Sequence, residues 1–311
     1  MNMDTRLDCM ETMEVKGKNV DYKVTNVGPV IGGEGFLFVS ENTTFLLDNG
    51  FAFCAEQMVE NIRKVLGDRK LDYILLTHSH YDHLSGTPYI TRAYPDVKVV
   101  ANDHTANVII RDGAKKVMRR MNEAARETYD GNEYEDLTDM LRVDIVVKDD
   151  DVVDLGDFRF KVCGFPGHTK CSIGFYSEEE RLLLSCETLG VYIGDDKLAS
   201  QYLVGYQMSI DSIDRALAMD IDMMLIPHTG LAEGERCKSL LRSSKDLAIE
   251  GAKEIVYGHR EGKSEEELLA ILKEKYYTPY VRSLQPEAAF DLNAGYMISM
   301  LVNELADDPN F

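Results

Sequence analysis

The stretch His78-Ser79-His80-Tyr81-Asp82-His83 packs three imidazoles and a carboxylate into six residues of a 311-residue chain that has only seven histidines. Neutral imidazole nitrogens and carboxylate oxygens are the ligands that zinc, iron and manganese share. Crowding them together without a metal would strand polar groups that cost free energy when buried. Three further candidates follow at a distance: His168 in FPGHT, Glu187 in LLLSCE and His228 in IPHTG. Seven donors exceed what one tetrahedral ion uses, whereas two ions about 3.5–4 Å apart would use them, with one carboxylate bridging. Within the short motif, alternate residues His78 and His80 can reach one ion while the turn swings Asp82 and His83 towards the other. His104 and His259 have no such company and read as ordinary hydrogen-bonding side chains.

These groups need elements that aim them at one point. TTFLLDNG (43–50) reads as a strand stopped by Asn-Gly, and AEQMVENIRKVLG (55–67) as a helix with Met58, Val59, Ile62, Val65 and Leu66 on one face and Gly67 at its C-cap. LDYILLTH (71–78) is a continuous apolar run, the mark of a strand buried on both faces, and VKVVAND repeats it before a helical stretch expected from about His104 to Thr128. From Val143 the chain turns to short β-rich pieces, including a charged hairpin turn at 177–181, then a helix expected around 212–219 and the run IDMMLIPHTG. His78, His168, Glu187 and His228 each follow a separate apolar strand. In α/β sheets the crevice beyond the strands' carboxyl ends is where ligands bind, so the four can converge. After Leu231 the sequence reads as helical, with a capping box at Ser264 and Glu267 and an apolar stripe of Phe290, Met297, Ile298, Leu301 and Leu305. The expected organisation is a catalytic region over 1–231 and a helical extension over 232–311.

Composition narrows the classes of function. Hydrophobic content of 44% and charged content of 28% are those of a globular protein with a sizeable core. A formal charge of -20 repels phosphate backbones and anionic membrane surfaces, so neither nucleic acid nor membrane is an expected partner, and a small-molecule substrate is. The N-terminal stretch has acids among its apolar residues and no signal-like core, and no run approaches the roughly 18 apolar residues of a membrane span. Six cysteines scattered without CxxC spacing fit reduced thiols. A cytoplasmic protein is the expectation.

HSHYDH, PGHT at 166–169, the acid closing LLLSCE and PHTG at 227–230 together resemble the metallo-β-lactamase superfamily of hydrolases, in order and spacing, over about residues 20–231. The resemblance implies an α/β fold, the αββα sandwich, with a binuclear metal site at one edge. It implies that His78, His80 and His168 hold a first metal, that Asp82, His83 and His228 hold a second, and that Glu187 stands where the family places a bridging aspartate. Asp48, in LLDNG, matches an aspartate that supports the cluster from outside. Zinc is the expected metal, with iron and manganese as alternatives for the same borderline ligands.

Glu187 departs from the family pattern by one methylene, which shifts the metals or alters the bridge. Cys171 replaces a small residue and is read as a buried thiol. Independently of the resemblance, a carboxylate ending an apolar strand would cost several kcal/mol if ionised and unpaired, and no Lys or Arg lies in the next nine residues, so a metal is the partner expected for Glu187. The expected chemistry is hydrolysis of a small ester, thioester, lactone or phosphoester by a hydroxide formed at the metals, with Asp82 orienting it or passing a proton. Tyr192, Tyr202 and Tyr206 follow Glu187 closely enough to polarise a substrate, although aromatic packing is the plainer role for them. Two alternatives use the same ligands: an iron-dependent oxidoreductase, and a ligand-binding regulator without catalysis. Flavodiiron proteins carry Glu at the position of His80, which weighs against the first. Tyr276, Tyr277, Tyr280 and Arg282 lie between the tail helices, where they suit either a cap over the cleft or a homodimer face. The tail resembles the added helices of glyoxalase II-like members in position only.

Overall fold

The computed structural model describes residues 6–309 and 311. One sheet runs in the order β1 (Thr12–Lys16), β2 (Asp21–Asn26), β3 (Phe36–Val39), β4 (Thr44–Leu47), β5 (Tyr73–Leu75), β6 (Lys98–Asn102), β7 (Ile145–Val147). The second is built from β8 (Val152–Asp154), β9 (Arg159–Gly164), β10 (Ile173–Ser177), β11 (Leu182–Leu184), β14 (Met223–Ile226) and β15 (Gly230–Glu233), ordered β15-β14-β11-β10-β9-β8. A separate hairpin, β12 (Val191–Gly194) and β13 (Lys197–Ala199), stands off the second sheet.

Alternation along the strands explains why the sheets stack. Phe36, Phe38, Phe45 and Leu47 of the first sheet face Phe158, Phe160, Phe175 and Leu184 of the second, and all are buried. Phe38 and Phe45 stack at 4.5 Å, and Phe45 meets Phe158 and Phe160 edge-on at 5.4 and 5.6 Å. Each such ring contributes about 1.5–3 kcal/mol by leaving water. The opposite face of the first sheet, through Leu37, Leu46, Ile74 and Val99, packs under α1 (Ala55–Leu66), α3 (Thr87–Ala93), α4 (Asp103–Ile109) and α5 (Asp112–Thr128), with the one-turn α2 (Tyr81–Leu84) between them. The outer face of the second sheet, through Cys163, Leu183, Met224 and Ile226, packs under α6 (Tyr206–Ala218) and the first half of α7 (Glu235–Arg260). The layers are helix, sheet, sheet, helix, which is the expected αββα sandwich.

The apolar face of α1 (Met58, Val59, Ile62, Leu66) is buried as the spacing predicts, and Gly67 ends the helix at φ +58 with its N–H on the Arg63 carbonyl. Three local expectations need correction. The long helix over 104–128 is two: Ile110 and Arg111 break it, and the Arg111 N-cap is extended, so α5 starts on a new axis. The helix expected at 212 begins at Tyr206, because Glu304 of the tail accepts the backbone N–H groups of Tyr206 and Gln207 and so caps a first turn with no cap of its own. The strands run to Glu233, since β15 pairs antiparallel with β14.

The tail consists of the second half of α7, α8 (Glu265–Tyr276), α9 (Pro279–Leu284) and α10 (Glu287–Leu305). Ala252, Ile255 and Val256 pack with Leu268, Leu272, Met297 and Leu301, and also with Ile193, Ala199, Tyr202 and Tyr206 from the hairpin and the chain after it. The capping box at Ser264 and Glu267 is formed in both directions. Among the described residues, no helix is long and apolar enough to cross a membrane.

Candidate metal centre

β4 and β5 run parallel, and so do β11 and β14, so their carboxyl ends open at one edge of the sandwich. The Ile173 N–H reaches the Thr77 carbonyl at 2.9 Å and ties the two sheets together beside that edge. Asp48 follows β4, His78 and His80 follow β5, His168 follows β9, Glu187 follows β11 and His228 follows β14. Asp82 and His83 sit in α2 rather than in an irregular loop, and their ligand atoms nonetheless come within 4.8 Å of each other and of His228.

The seven expected donors meet in two groups, His78, His80, His168, Glu187 and Asp82, His83, His228, with the ligand atoms of each group within 4.8 Å of one another. Glu187 joins the groups. Its Oε2 lies 3.3 Å from His78 Nε2, 2.6 Å from His168 Nε2 and 3.5 Å from His83 Nε2, while Oε1 lies 3.3 Å from His228 Nε2. His80 presents Nδ1 to His168 Nε2 at 2.9 Å. His83 Nε2 and Asp82 are 3.6 Å apart.

Outer hydrogen bonds set the tautomers. Asp48 accepts the Thr77 hydroxyl at 2.8 Å, which leaves the Thr77 oxygen to accept from His78 Nδ1 at 3.0 Å; the same carboxylate accepts from His83 Nδ1 at 2.8 Å. His168 Nδ1 donates to the Gln201 carbonyl at 2.8 Å, and His228 Nδ1 donates to Glu34 at 3.0 Å. In each case the Nδ1 proton is spoken for and Nε2 faces inward. His78 Nε2 and His83 Nε2 are buried and have no hydrogen-bond partner among the described residues. Such orphaned polar atoms are costly, and a divalent ion accepting their lone pairs would resolve them. Imidazole and carboxylate donors in these numbers fit a borderline divalent ion.

The site's electrostatics divide along the same line. Burial, reinforced by the other imidazoles, lowers His78, and burial with His168 pulls His80 down to about 3. Burial also pulls on His83 and His228, but Asp48 and Asp82 hold the first above its ordinary value, and hydrogen bonds to Glu187 and Glu34 raise the second to about 10. Burial would raise Glu187, but His168 and the other imidazoles hold it well below the usual carboxylate range.

Glu34 is absent from the sequence reading. Its signal was there, an acid flanked by three glycines in GGEG, but nothing local connects it to a histidine 194 residues away. Tyr202 and Tyr206 are buried in the tail's core, and Tyr192 meets Tyr280 edge-on at 5.1 Å, so all three take the packing role. Cys171 is buried, with Sγ 3.3 Å from the Ser79 hydroxyl and 3.2 Å from that of Thr169.

Fold and donor set define an αββα protein with a histidine-rich candidate metal centre across the sandwich edge. A profile of the metallo-beta-lactamase superfamily matches residues 33–228, and the chain belongs to that superfamily. It is 26% identical over 168 residues to a metallo-beta-lactamase fold-containing protein of Sulfurisphaera tokodaii, covering 52% of this chain and 62% of the relative. It is 31% identical over 120 residues to a hydroxyacylglutathione hydrolase of Francisella tularensis, covering 39% of this chain and 34% of that protein. The chain therefore spans less than two thirds of these relatives. A beta-lactamase domain protein from Burkholderia ambifaria shares the fold with a TM-score of 0.64 at 15% identity, over 96% of this chain and 89% of that one. A sec-alkylsulfatase from Pseudomonas sp. does so with a TM-score of 0.66 at 13% identity, over 96% of this chain and 51% of the other.

Proposed function

We propose that the chain is a binuclear metal-dependent hydrolase acting on a small acyl ester, with a thioester as the first substrate class to test. The observation that carries this reading is Glu187, whose two oxygens address imidazoles of both donor groups. His78, His80 and His168 would hold one ion, Asp82, His83 and His228 the other, and Glu187 would span them, with zinc the best fit to the ligands. When bound, such a pair supplies a nucleophile from water near neutral pH and a Lewis acid for the substrate's oxygen. The protein's own part is positional. The Asp48, Thr77, Gln201 and Glu34 acceptors hold the ring orientations. Asp82, about a fifth exposed, is the carboxylate on the open side, placed to orient a water or return a proton to the leaving group. The match to a hydroxyacylglutathione hydrolase supports an acyl thioester.

The test is elemental analysis of the metal-replete chain, followed by turnover of thioester, lactone, carboxylic ester and phosphodiester panels. Two ions per chain with thioester turnover is the expected result. One ion or none would overturn the binuclear reading, and turnover confined to phosphodiesters would overturn the substrate class.

A further inference from the structure

Glu34 lies in the turn Gly32-Gly33-Glu34-Gly35 that leads into β3, and its carboxylate is buried. Three sets of contacts fix that turn. A Cβ at Gly33 would come 2.5 Å from the Phe51 ring, one at Gly28 would come 2.5 Å from the Glu34 Cα, and one at Gly50, which has φ +63, would come 2.3 Å from the Gly33 carbonyl. Only glycine tolerates such approaches, so the turn lies flat on Phe51 and delivers Glu34 to a fixed point.

That point is Nδ1 of His228, whose backbone is at φ +56. The left-handed region is uncommon for a histidine and costs on the order of 1 kcal/mol or more, so the surrounding structure must hold it. The backbone on one side is held: the Thr229 N–H bonds the Ile226 carbonyl and the Leu7 N–H bonds the Thr229 carbonyl. The ring needs its own restraint. Glu187 and Asp82 are on the inner side of the ring, where an ion would compete for Nε2. Glu34 holds the outer nitrogen.

We propose that Glu34 is the positioning residue for His228, and that the second half of the metal site, but not the first, depends on the Glu34–His228 hydrogen bond. This rests on the metal reading above. Without Glu34 the Nδ1 proton loses its buried acceptor, the imidazole is free to turn on its side chain, and the second site is left with Asp82, His83 and the shared Glu187. His78, His80 and His168 keep their own acceptors, or their mutual contact, and are unaffected.

The experiment compares the full-length wild type with Glu34→Ala, Glu34→Gln and Glu34→Asp. Zn(II) is titrated against a chromogenic chelator, Co(II) loading is followed by its visible spectrum, and ring-nitrogen NMR is recorded on the metal-free chain. Glu34→Ala should weaken the second ion by about 10–100-fold, the usual cost of losing an outer partner of a metal ligand, with the first ion unchanged. Glu34→Gln keeps an acceptor oxygen without its charge and should fall between Ala and wild type. Glu34→Asp should rescue in part. In the metal-free chain, the His228 ring proton shielded by Glu34 should be seen in the wild type and lost in Glu34→Ala, a readout that stands whether or not the metal reading does. Two ions at wild-type affinity in Glu34→Ala, or an equal loss of both ions, would overturn the proposal. So would an unchanged His228 signal. If Glu34→Ala fails to fold, Glu34→Gln carries the same test.

Discussion

The two halves of the donor cluster are built on opposite electrostatic plans. His78 and His168 are backed by neutral acceptors, the Thr77 hydroxyl and the Gln201 carbonyl. His83 and His228 are backed by carboxylates, Asp48 and Glu34. Both kinds of acceptor fix the ring and add to its basicity, but a buried carboxylate does so more strongly because its charge also stabilises a proton or an ion on the imidazole. His78 and His80 are therefore ready for an ion in the metal-free form. His83 and His228 must give up protons first.

Breaking the link between the halves should have the largest effect. Glu187→Ala should lose at least one ion and reduce turnover by more than about 10²-fold, the scale of losing a charge-stabilising group. Glu187→Asp should keep both ions and change the rate modestly, because the charge remains and only the reach is shorter. Unchanged metal content and turnover in Glu187→Ala would leave Asp82 as the carboxylate common to any mechanism.

His80→Ala probes the first half alone. His80 is at the N-cap of α2, outside the apolar clusters, so turnover should vanish while the melting temperature stays within a few degrees. Full turnover in this variant would mean that the first half is not assembled as described.

Asp48→Asn tests a partner that serves both halves, through Thr77 towards His78 and directly on His83. Asn tolerates the left-handed φ of +54 found there, so the fold should survive. Metal affinity should fall about 10–100-fold, and more for the second ion than for the first. Equal loss in a stepwise chelator titration would erase the contrast.

The contrast also has a pH signature. His228, raised to about 10, and His83, raised above its ordinary value, carry protons at pH 7 in the metal-free chain, and an ion at Nε2 must displace them. Affinity for the second ion should therefore fall as pH falls, by up to about tenfold per unit for each proton displaced, between pH 8 and 6. His78 is lowered and His80 lies near 3, so neither has a proton to give up over that window, and the first ion should show the shallower slope. Parallel pH slopes for the two ions would contradict this.

The smallest effect on the site should come from the tail. Leu301 is fully buried among the tail helices, and Leu301→Ala should cost about 2–5 kcal/mol of stability with metal content unchanged. Loss of both metal and fold in this variant would join the tail to the catalytic core.

The helices and strands nearest the cluster were legible in the sequence because their signals are local. Continuous apolar runs at 71–76 and 182–184 mark buried strands, and the face of α1 repeats at helical spacing. The break at Ile110–Arg111 also has a local signal, since Asn107 and the β-branched Val108, Ile109 and Ile110 lead into it and the turn pair Asp112-Gly113 follows it. The early start of α6 was not legible, because its cap is Glu304, about a hundred residues downstream.

The sequence by itself determined the candidate donors and their order. Residue type fixes what an atom can ligate, and two-residue spacing fixes how far apart neighbouring ligands can lie. What only the tertiary structure decided is which nitrogen of His78, His83, His168 and His228 faces inward and what charge stands behind it. Those depend on Glu34, Asp48, Thr77 and Gln201, which reach the imidazoles through hydrogen bonds. Thr77 is a chain neighbour of His78; Asp48 reaches His83 across 35 residues through the pairing of β4 with β5, Gln201 reaches His168 across 33 residues beside the second sheet, and Glu34 reaches His228 across 194 residues because the two sheets stack.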